Sequence, residues 1–408
     1  MSAQPSAVAQ HPPAAHDALR VVVVGGGIAA AEALLALRDL AGERVSLTLV
    51  CPNDELVLPA LTVAEPFALG HARRYPLGDL LAHVSAGRVS GVLASIDPHD
   101  REILLQDGTT VAFDALILAV GARPVAAVEN ASTWRPQDSP EAFGGLLRDL
   151  EEGYVKRVAF VIPPGPVWPL PAYELALMTS REVWSMGIND AQITVITPEA
   201  IPLARFGSAA AIALREELKA AAVRLEAATT ARVNRGHDLK IVLQPTVDEL
   251  QVDRVIALPG LQGPRIPGST QDKDGFIPVN YVSRMRDSTD IWAAGDAIAY
   301  PIKFGGLATQ QADMIAADIA ARVGARPTPT PAGLHLQGML ITGAAPRPLA
   351  ANAPAIVARA PLWQPADKIY GKYLTPYLHA TDPTLTADPP TRGVEVNETL
   401  PGLEHGER

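Results

Sequence analysis

Val21-Val22-Val23-Val24-Gly25-Gly26-Gly27-Ile28-Ala29-Ala30 decides how the rest of the chain is read. Four consecutive valines make a strand suited to burial on both faces of a parallel sheet. Glycines end it. A stretch from Ala29 to Leu40 follows with helical spacing, and Leu34, Leu35, Leu37 and Leu40 supply its apolar face. Gly42 is the stop signal and Val45 to Val50 the next strand. Strand, glycine turn, helix and strand make a βαβ unit. Gly25, Gly27 and Ala30 form a G-x-G-x-x-A pattern at the strand-to-helix turn, the place a dinucleotide fingerprint requires. Gly25 permits the tight turn, Gly27 lets the main chain approach a pyrophosphate, and Ala30 is small enough for helix to pack on strand. The helix N-terminus then offers unpaired N–H groups to the anion.

The usual partner of this motif is an acidic residue ending the second strand, where it holds the ribose hydroxyls. Cys51 stands there instead, and a thiol is a weak acceptor. The ribose contact is therefore open between Cys51 itself, the neighbouring Asn53, Asp54 and Glu55, and a loosely held ribose.

Outward from this unit, the 408 residues are 48% hydrophobic, enough for two or three domains. The net charge of −10 argues against a nucleic-acid partner, since phosphate binding needs clustered Lys and Arg. Cys51 is the only cysteine, which rules out an internal disulfide, a Cys-rich metal site and any mechanism that needs a dithiol. No metal site is expected. Residues 1–18 lack the charged start and apolar core of a signal peptide and read as a disordered leader. Residues 383–408 read as a disordered tail. No uncharged apolar run approaches the ~18 residues of a membrane span, so a cytoplasmic protein is expected.

Further along, Ile103-Leu104-Leu105 and Thr109-Thr110-Val111 flank Asp107-Gly108 as an antiparallel hairpin, and Ala115 to Val120 is another buried strand. From about Tyr154 the α/β pattern begins again: strands at Val158–Ile162, Ile193–Ile196 and Val255–Leu258, helices at Tyr173–Trp184 and Ala209–Ala222. The chain then returns through Ile291-Trp292-Ala293-Ala294 to a helix over Thr309–Arg322, and a proline-rich linker, Arg326 to Pro331, leads to a last segment. The expected order is a first α/β domain in two parts, 19–150 and 266–325, an inserted second one at 151–265, and a C-terminal unit at 331–382. Ile369, Tyr370, Tyr373, Leu374 and Tyr377 in that unit are spaced as one helical face, for core or dimer packing.

Two further motifs follow the first: Asp114-Ala115-Leu116-Ile117-Leu118-Ala119-Val120-Gly121-Ala122-Arg123-Pro124, and Asp290-Ile291-Trp292-Ala293-Ala294-Gly295-Asp296-Ala297. All three in this order resemble the FAD-dependent pyridine nucleotide-disulfide oxidoreductase superfamily over most of the chain. The resemblance implies an α/β fold with two Rossmann-like dinucleotide-binding domains, as in glutathione reductase, plus a C-terminal unit. It implies FAD as cofactor, with Ala119 and Gly121 on a crossing loop that touches it and Asp296, beside Gly295, binding its ribityl or pyrophosphate part. It implies a helix opened by Gly306-Leu307-Ala308-Thr309-Gln310-Gln311, with Ala308 and Gln310 at the flavin, and Pro59 approaching FAD from Leu58-Pro59-Ala60-Leu61. Arg73-Arg74, close after it, read as a phosphate screen or as exposed charges.

Pro163-Pro164-Gly165-Pro166-Val167-Trp168-Pro169, Tyr173-Glu174, Lys303, Leu336-Gln337-Gly338-Met339-Leu340-Ile341-Thr342-Gly343, Leu362-Trp363-Gln364-Pro365, Lys368 and Tyr373 narrow the resemblance. They are similar to the sulfide:quinone reductase and flavocytochrome c sulfide dehydrogenase branch. On that resemblance Glu174 and Lys303 are the catalytic candidates, a proton relay and a cation beside the reduced flavin, against the alternative of a purely structural Glu–Lys pair. The sequence also departs from the branch. Trp168 stands where a redox cysteine precedes the proline, so a persulfide route has no thiolate. The second domain lacks G-x-G-x-x-G, and prolines without N–H groups fill its turn, which weakens the case for NAD(P)H there. Arg181 and Arg205 read as phosphate contacts or surface charges. The reading is an oxidoreductase passing electrons from a small-molecule donor, with NAD(P)H one option, through FAD to a small acceptor such as a quinone. The alternative is an FAD-binding sensor or partner subunit with little turnover. Peripheral membrane contact and a homodimer stay open.

Overall fold

The computed structural model describes residues 18–135, 140–236, 238–327, 333–344, 346–350 and 368–385. The expected leader up to residue 17, linker residues 328–331, Leu362-Trp363-Gln364-Pro365 and the tail from residue 386 lie outside the described residues. The helices are α1 (Ile28–Ala41), α2 (Leu77–His83), α3 (Pro140–Glu151), α4 (Leu170–Ser185), α5 (Ser208–Ala220), α6 (Gly305–Arg322) and α7 (Leu374–Thr381).

The valine run forms the middle strand, Leu19–Val24, of a five-stranded parallel sheet. Val45–Val50 and Gly87–Val89 lie to one side, Ala115–Leu118 and Ile291–Ala293 to the other. Alternation explains the uninterrupted apolar sequence. Val21, Val23, Ala115, Ile117 and Trp292 face α1 and α6, while Val22, Val24, Leu116, Leu118 and Ile291 face the hairpin core of Ile103, Leu105 and Phe113. The hairpin predicted around Asp107-Gly108 is present, with Leu93–Asp97 as its third strand. The strand Ile291–Ala293 joins this sheet after the chain has built a second one. That second parallel sheet runs Ser132–Thr133, Arg254–Ala257, Arg157–Val161, Gln192–Ile196, Arg224–Glu226. Val158 and Phe160 face α4 and α5, and Ala159 and Val161 face a three-stranded antiparallel layer, Thr230–Arg235, Leu239–Gln244 and Glu249–Gln251, which periodicity did not predict.

Three boundaries differ from expectation. α4 begins at Leu170, because Pro169 and Pro171 fit a helix start that needs no N–H. α6 begins at Gly305, four residues before the Thr309 start that spacing gives and one before the Gly306 opening that the resemblance implies. The expected aromatic helix face over 369–377 is not one face. Only Leu374–Thr381 is helical, and Ile369, Tyr370 and Tyr373 precede it. Glu32 of α1 sets this start: its fully buried carboxylate accepts the Tyr373 and Leu374 N–H groups at 2.8 and 2.7 Å. A Cβ at Gly371 would lie 2.3 Å from Glu32 Oε2, so a side chain there would displace the buried carboxylate. Ile369, Leu374 and Leu378 join the core of α1 and α6. The Thr309 hydroxyl donates to the Tyr370 carbonyl at 2.7 Å. At the far end Arg73 and Tyr75 donate to Asp382 at 3.0 and 3.2 Å.

Asp313 of α6 shares a hydrogen bond with Glu32. Burial, then the Glu32 charge and that hydrogen bond, push Asp313 up to about 8, against the pull of Lys372. Its proton therefore stabilises the docked C-terminal helix at low pH, and that stability is lost as pH rises through 8. Between pH 7 and 9 the unfolding free energy of the wild type should fall by about 1 kcal/mol relative to that of Asp313→Asn, because Lys303, which burial lowers to about 8, raises both profiles alike. Denaturant titration at each pH checks it; parallel profiles for the two proteins would contradict the assignment.

Candidate functional site

Gly25 is fixed by two contacts. Its N–H donates to the Val50 carbonyl at 2.9 Å, and a Cβ on it would fall 2.2 Å from the Ala119 carbonyl oxygen at a φ of +119°. No L side chain fits there. The three central strands are thereby drawn together at their carboxyl ends. Gly27 is different: a Cβ there would meet nothing within 4 Å, and no side chain caps α1. The first-turn N–H groups of α1 thus face open space with the positive end of the helix behind them. Ala30 is buried between helix and sheet.

Two more pieces converge on this opening. Gly295, at φ +73°, has its Cβ direction 3.7 Å from the Ala29 methyl and 3.5 Å from that of Ala308, so α1, the Gly295 turn and α6 meet over small residues. The Gly295 N–H donates to Gln311 at 2.7 Å, a partner that the sequence reading missed. Asp296 follows, half-buried, its carboxyl raised by burial against the pull of Lys303. At α6 no side chain caps the terminus after Phe304. The free donors there are those of Gly305 and Gly306, because the Leu307 and Ala308 N–H groups already reach the Phe304 carbonyl at 3.0 and 3.1 Å. Gln310 lies further from the expected role: its amide donates to the His335 carbonyl and accepts the His335 N–H, both at 2.8 Å, and so tethers a later segment. Gly121, at φ +71°, faces open space, and Pro59 opens the turn Pro59–Phe67.

The Cys51 thiol is 1% exposed and donates to the Asn53 carbonyl at 3.3 Å. Burial raises its pKa, with Arg88 opposing. Asp54 pairs with Arg88 at 2.7 Å and Glu55 with Arg74 at 3.3 Å.

Glu174 and Lys303, expected as neighbours, have separate partners. Glu174 is buried on α4. Its carboxylate accepts Lys368 at 2.6 and 2.8 Å and the Ile341 N–H at 2.8 Å. Burial pushes this carboxyl above its usual range, against Lys368 and the Ile341 N–H. Lys368, at φ +59° and 6% exposed, is the cation that the sequence reading quoted without assigning a partner. Lys303 donates to the Asp296 carbonyl at 3.0 Å and to that of Ile298, and lies 3.8 Å over the Phe276 ring. Burial lowers it to about 8, with Asp296 and Asp272 opposing. It therefore grips the turn that presents Asp296.

In the second unit the proline-rich turn leads into α4 with Pro169 as its cap. Glu199, just past the strand Gln192–Ile196, is engaged: Tyr173 donates to it at 2.6 Å and the Leu203 N–H at 3.3 Å. Arg181 reaches the Thr342 carbonyl at 2.5 Å and Glu217 at 2.6 Å, a structural tie rather than a phosphate contact.

A glycine turn closed by a carbonyl, two uncapped helix N-termini meeting over Gly295, and a carboxylate beside them fit a dinucleotide whose pyrophosphate lies on α1. The sequence matches the pyridine nucleotide-disulphide oxidoreductase family over residues 19–314, so the chain belongs to that family and is an FAD-dependent oxidoreductase. Among relatives, the sulfide-quinone reductase of Aquifex aeolicus is 27% identical over 308 residues, 70% of this chain and 69% of that protein. The solved sulfide:quinone oxidoreductase of Aquifex aeolicus superposes with a TM-score of 0.68 at 21% identity, covering 82% of this chain and 84% of that one. A ferredoxin reductase from Rhodopseudomonas palustris gives 0.58 at 19% identity, over 81% of each chain. The water-forming NADH oxidase of Lactobacillus brevis gives 0.54 at 17% identity, over 78% and 73%.

Asp296→Ala should weaken FAD retention about tenfold to a hundredfold, the range for losing a hydrogen bond to a charged group. The flavin-to-protein absorbance ratio measures it, and wild-type occupancy would remove Asp296 from the site.

Proposed function

We propose that this oxidoreductase passes electrons from a reduced small-molecule donor through FAD to a small acceptor such as a quinone, with no redox dithiol. One observation carries the reading: the single cysteine is buried at the end of the second strand, beside the glycine turn, with its thiol bonded to Asn53, while the cradle around Gly25, Gly27, Gly295 and Asp296 is kept. When bound, FAD supplies the two-electron chemistry.

The residues of the chain divide the remaining work. The N-terminus of α1 binds the pyrophosphate, with Gly25 and Gly27 keeping the main chain close and Ala30 the helix tight. Ala119, Gly121 and Pro59 are further candidates for contact with FAD. Asp296 accepts hydroxyl hydrogen bonds from the ribityl chain, and Lys303 holds its turn. Gly305 and Gly306 would offer N–H groups and the positive end of α6 to the flavin, which would favour negative charge on its reduced form. Glu174, raised by burial and held by Lys368, is placed to keep or release a proton. Lys368 supplies the nearby positive charge.

NAD(P)H is one donor this reading admits, docked on the second sheet. A second reading, FAD held with little turnover, is favoured by that same sheet: prolines fill its turn, and Glu199, at the position from which a carboxylate takes a ribose, is tied to Tyr173. Anaerobic addition of NADH or NADPH separates the two. Bleaching of the yellow protein, reversed by a soluble quinone, is the expected result; oxidised flavin that neither nucleotide nor any other reduced donor bleaches would overturn the enzyme reading. Glu174→Gln should lower turnover about a hundredfold with FAD content retained, in the range for a lost general acid–base. Unchanged turnover with a lower unfolding midpoint would make the pair with Lys368 a structural lock.

A further inference from the structure

The strongest feature that the cofactor cradle does not use is a cluster of three aromatic rings at its edge. Phe304 is the residue immediately before the α6 terminus. Its ring stacks on Trp168, centroids 4.6 Å apart and planes 28° apart. Trp168 also meets Phe206 at 5.5 Å and 58°. The rings come from three separate places: the proline-rich turn before α4, the short turn Ala204–Phe206 of the second unit, and the end of the first unit. Glycines let them close. A Cβ at Gly306 would lie 2.9 Å from the Phe304 ring, and one at Gly338 would lie 3.3 Å from the Phe206 ring, so the strand Gln337–Leu340 covers the same cluster. Phe206 is buried, while Trp168 and Phe304 keep part of their surface open.

We infer that Trp168, with Phe206 and Phe304, is a selectivity gate on the second unit's side of the flavin, barring small hydrated anions while accepting planar, electron-poor partners. The inference rests on the reading of FAD at the α1–Gly295–α6 junction. Two physical arguments support it. A sulfite, sulfide or thiolate ion passing this cluster sheds hydration against apolar carbon, which gives nothing back. The ring faces also carry the negative side of the aromatic quadrupole, which repels anions and favours offset stacking with a flat, electron-poor ring. Trp168 is then a specificity-determining residue: its bulk decides which reactants reach the flavin.

Sulfite tests the gate directly. Its sulfur lone pair forms a bond to N5 of the oxidised flavin, the ring takes up the electron pair, and the yellow band bleaches with no other oxidant or reductant. The probe is added to the FAD-loaded full chain, and bleaching is followed for the wild type, Trp168→Ala and Trp168→Phe at matched flavin-to-protein ratios. The expected result is slow bleaching of the wild type and of Trp168→Phe, and bleaching at least about tenfold faster in Trp168→Ala, the size expected when a packed barrier is removed. Equal rates in Trp168→Ala and wild type, or a wild type that bleaches as fast as free FAD, would overturn the gate. Should Trp168→Ala lose its flavin, Trp168→Leu takes its place, and flavin loss there too would overturn it in favour of a role in holding the cofactor. A wild type without flavin would refute the cofactor reading instead, and this is seen before sulfite is added.

Discussion

The close approach of α1 and α6 is the constraint on which the rest of the structure depends. Ala29, Ala33 and Ala36 on one helix and Ala308, Ala312 and Ala316 on the other belong to a single buried core, and larger side chains would part them. Packing over methyl groups brings two uncapped N-termini to one space, with Gly295 between them. Two positive helix ends side by side are unfavourable until an anion is shared between them. A cofactor bound at this junction by the folded state alone would add to stability by mass action.

Two buried glutamates then bind the ends of one short segment. Glu32, from the first unit's α1, takes the N–H groups of Tyr373 and Leu374. Glu174, from the second unit's α4, takes the Lys368 ammonium and the Ile341 N–H. Residues 368–374 thus tie the two units together, and each tie is a buried charge that is costly to leave without its partner. The lysines illustrate the same rule in two forms. Lys368 has a carboxylate at bidentate distance. Lys303 has two carbonyl oxygens and the face of Phe276, which suits a group that orders a turn more than one that neutralises a neighbour.

Much of this was legible in the sequence because it depends on local rules. The valine run, the three glycines, the Asp107-Gly108 turn and the return strand ending in Gly295-Asp296 each carry a short-range signature, and the sheets follow from them. What was not legible depends on contacts between distant residues. Nothing local says that Glu174 meets Lys368 rather than Lys303, 129 positions away in the sequence numbering. Nothing near Gln310 says that its amide is engaged by His335, or that Gln311, one position on, holds Gly295. The aromatic spacing over 369–377 suggested a helix because period alone cannot register Gly371 pressed against a carboxylate. Periodicity starts α6 only at Thr309 because Gly305 and Gly306 carry no helical apolar signal, and it is the motif beginning at Gly306 that marks the true opening.

The relation between the two nucleotide-like units follows from the same comparison. Both have a parallel sheet, a strand-to-helix turn and a helix beyond it, so their architecture alone would give them equal claim to a dinucleotide. Their turns differ in what the main chain can offer. Gly27 and the uncapped first turn of α1 keep their main-chain donors, whereas Pro163, Pro164, Pro166, Pro169 and Pro171 remove donors, and Tyr173 occupies Glu199. The second turn instead presents Trp168 toward Phe304, at the end of the helix that closes the first site. A turn built this way is suited to shape more than to phosphate binding, as the proposed gate requires. On the proposed reading, that division gives an oxidoreductase whose one thiol is buried a use for the whole two-sheet frame: the second sheet would position a wall of the first sheet's site.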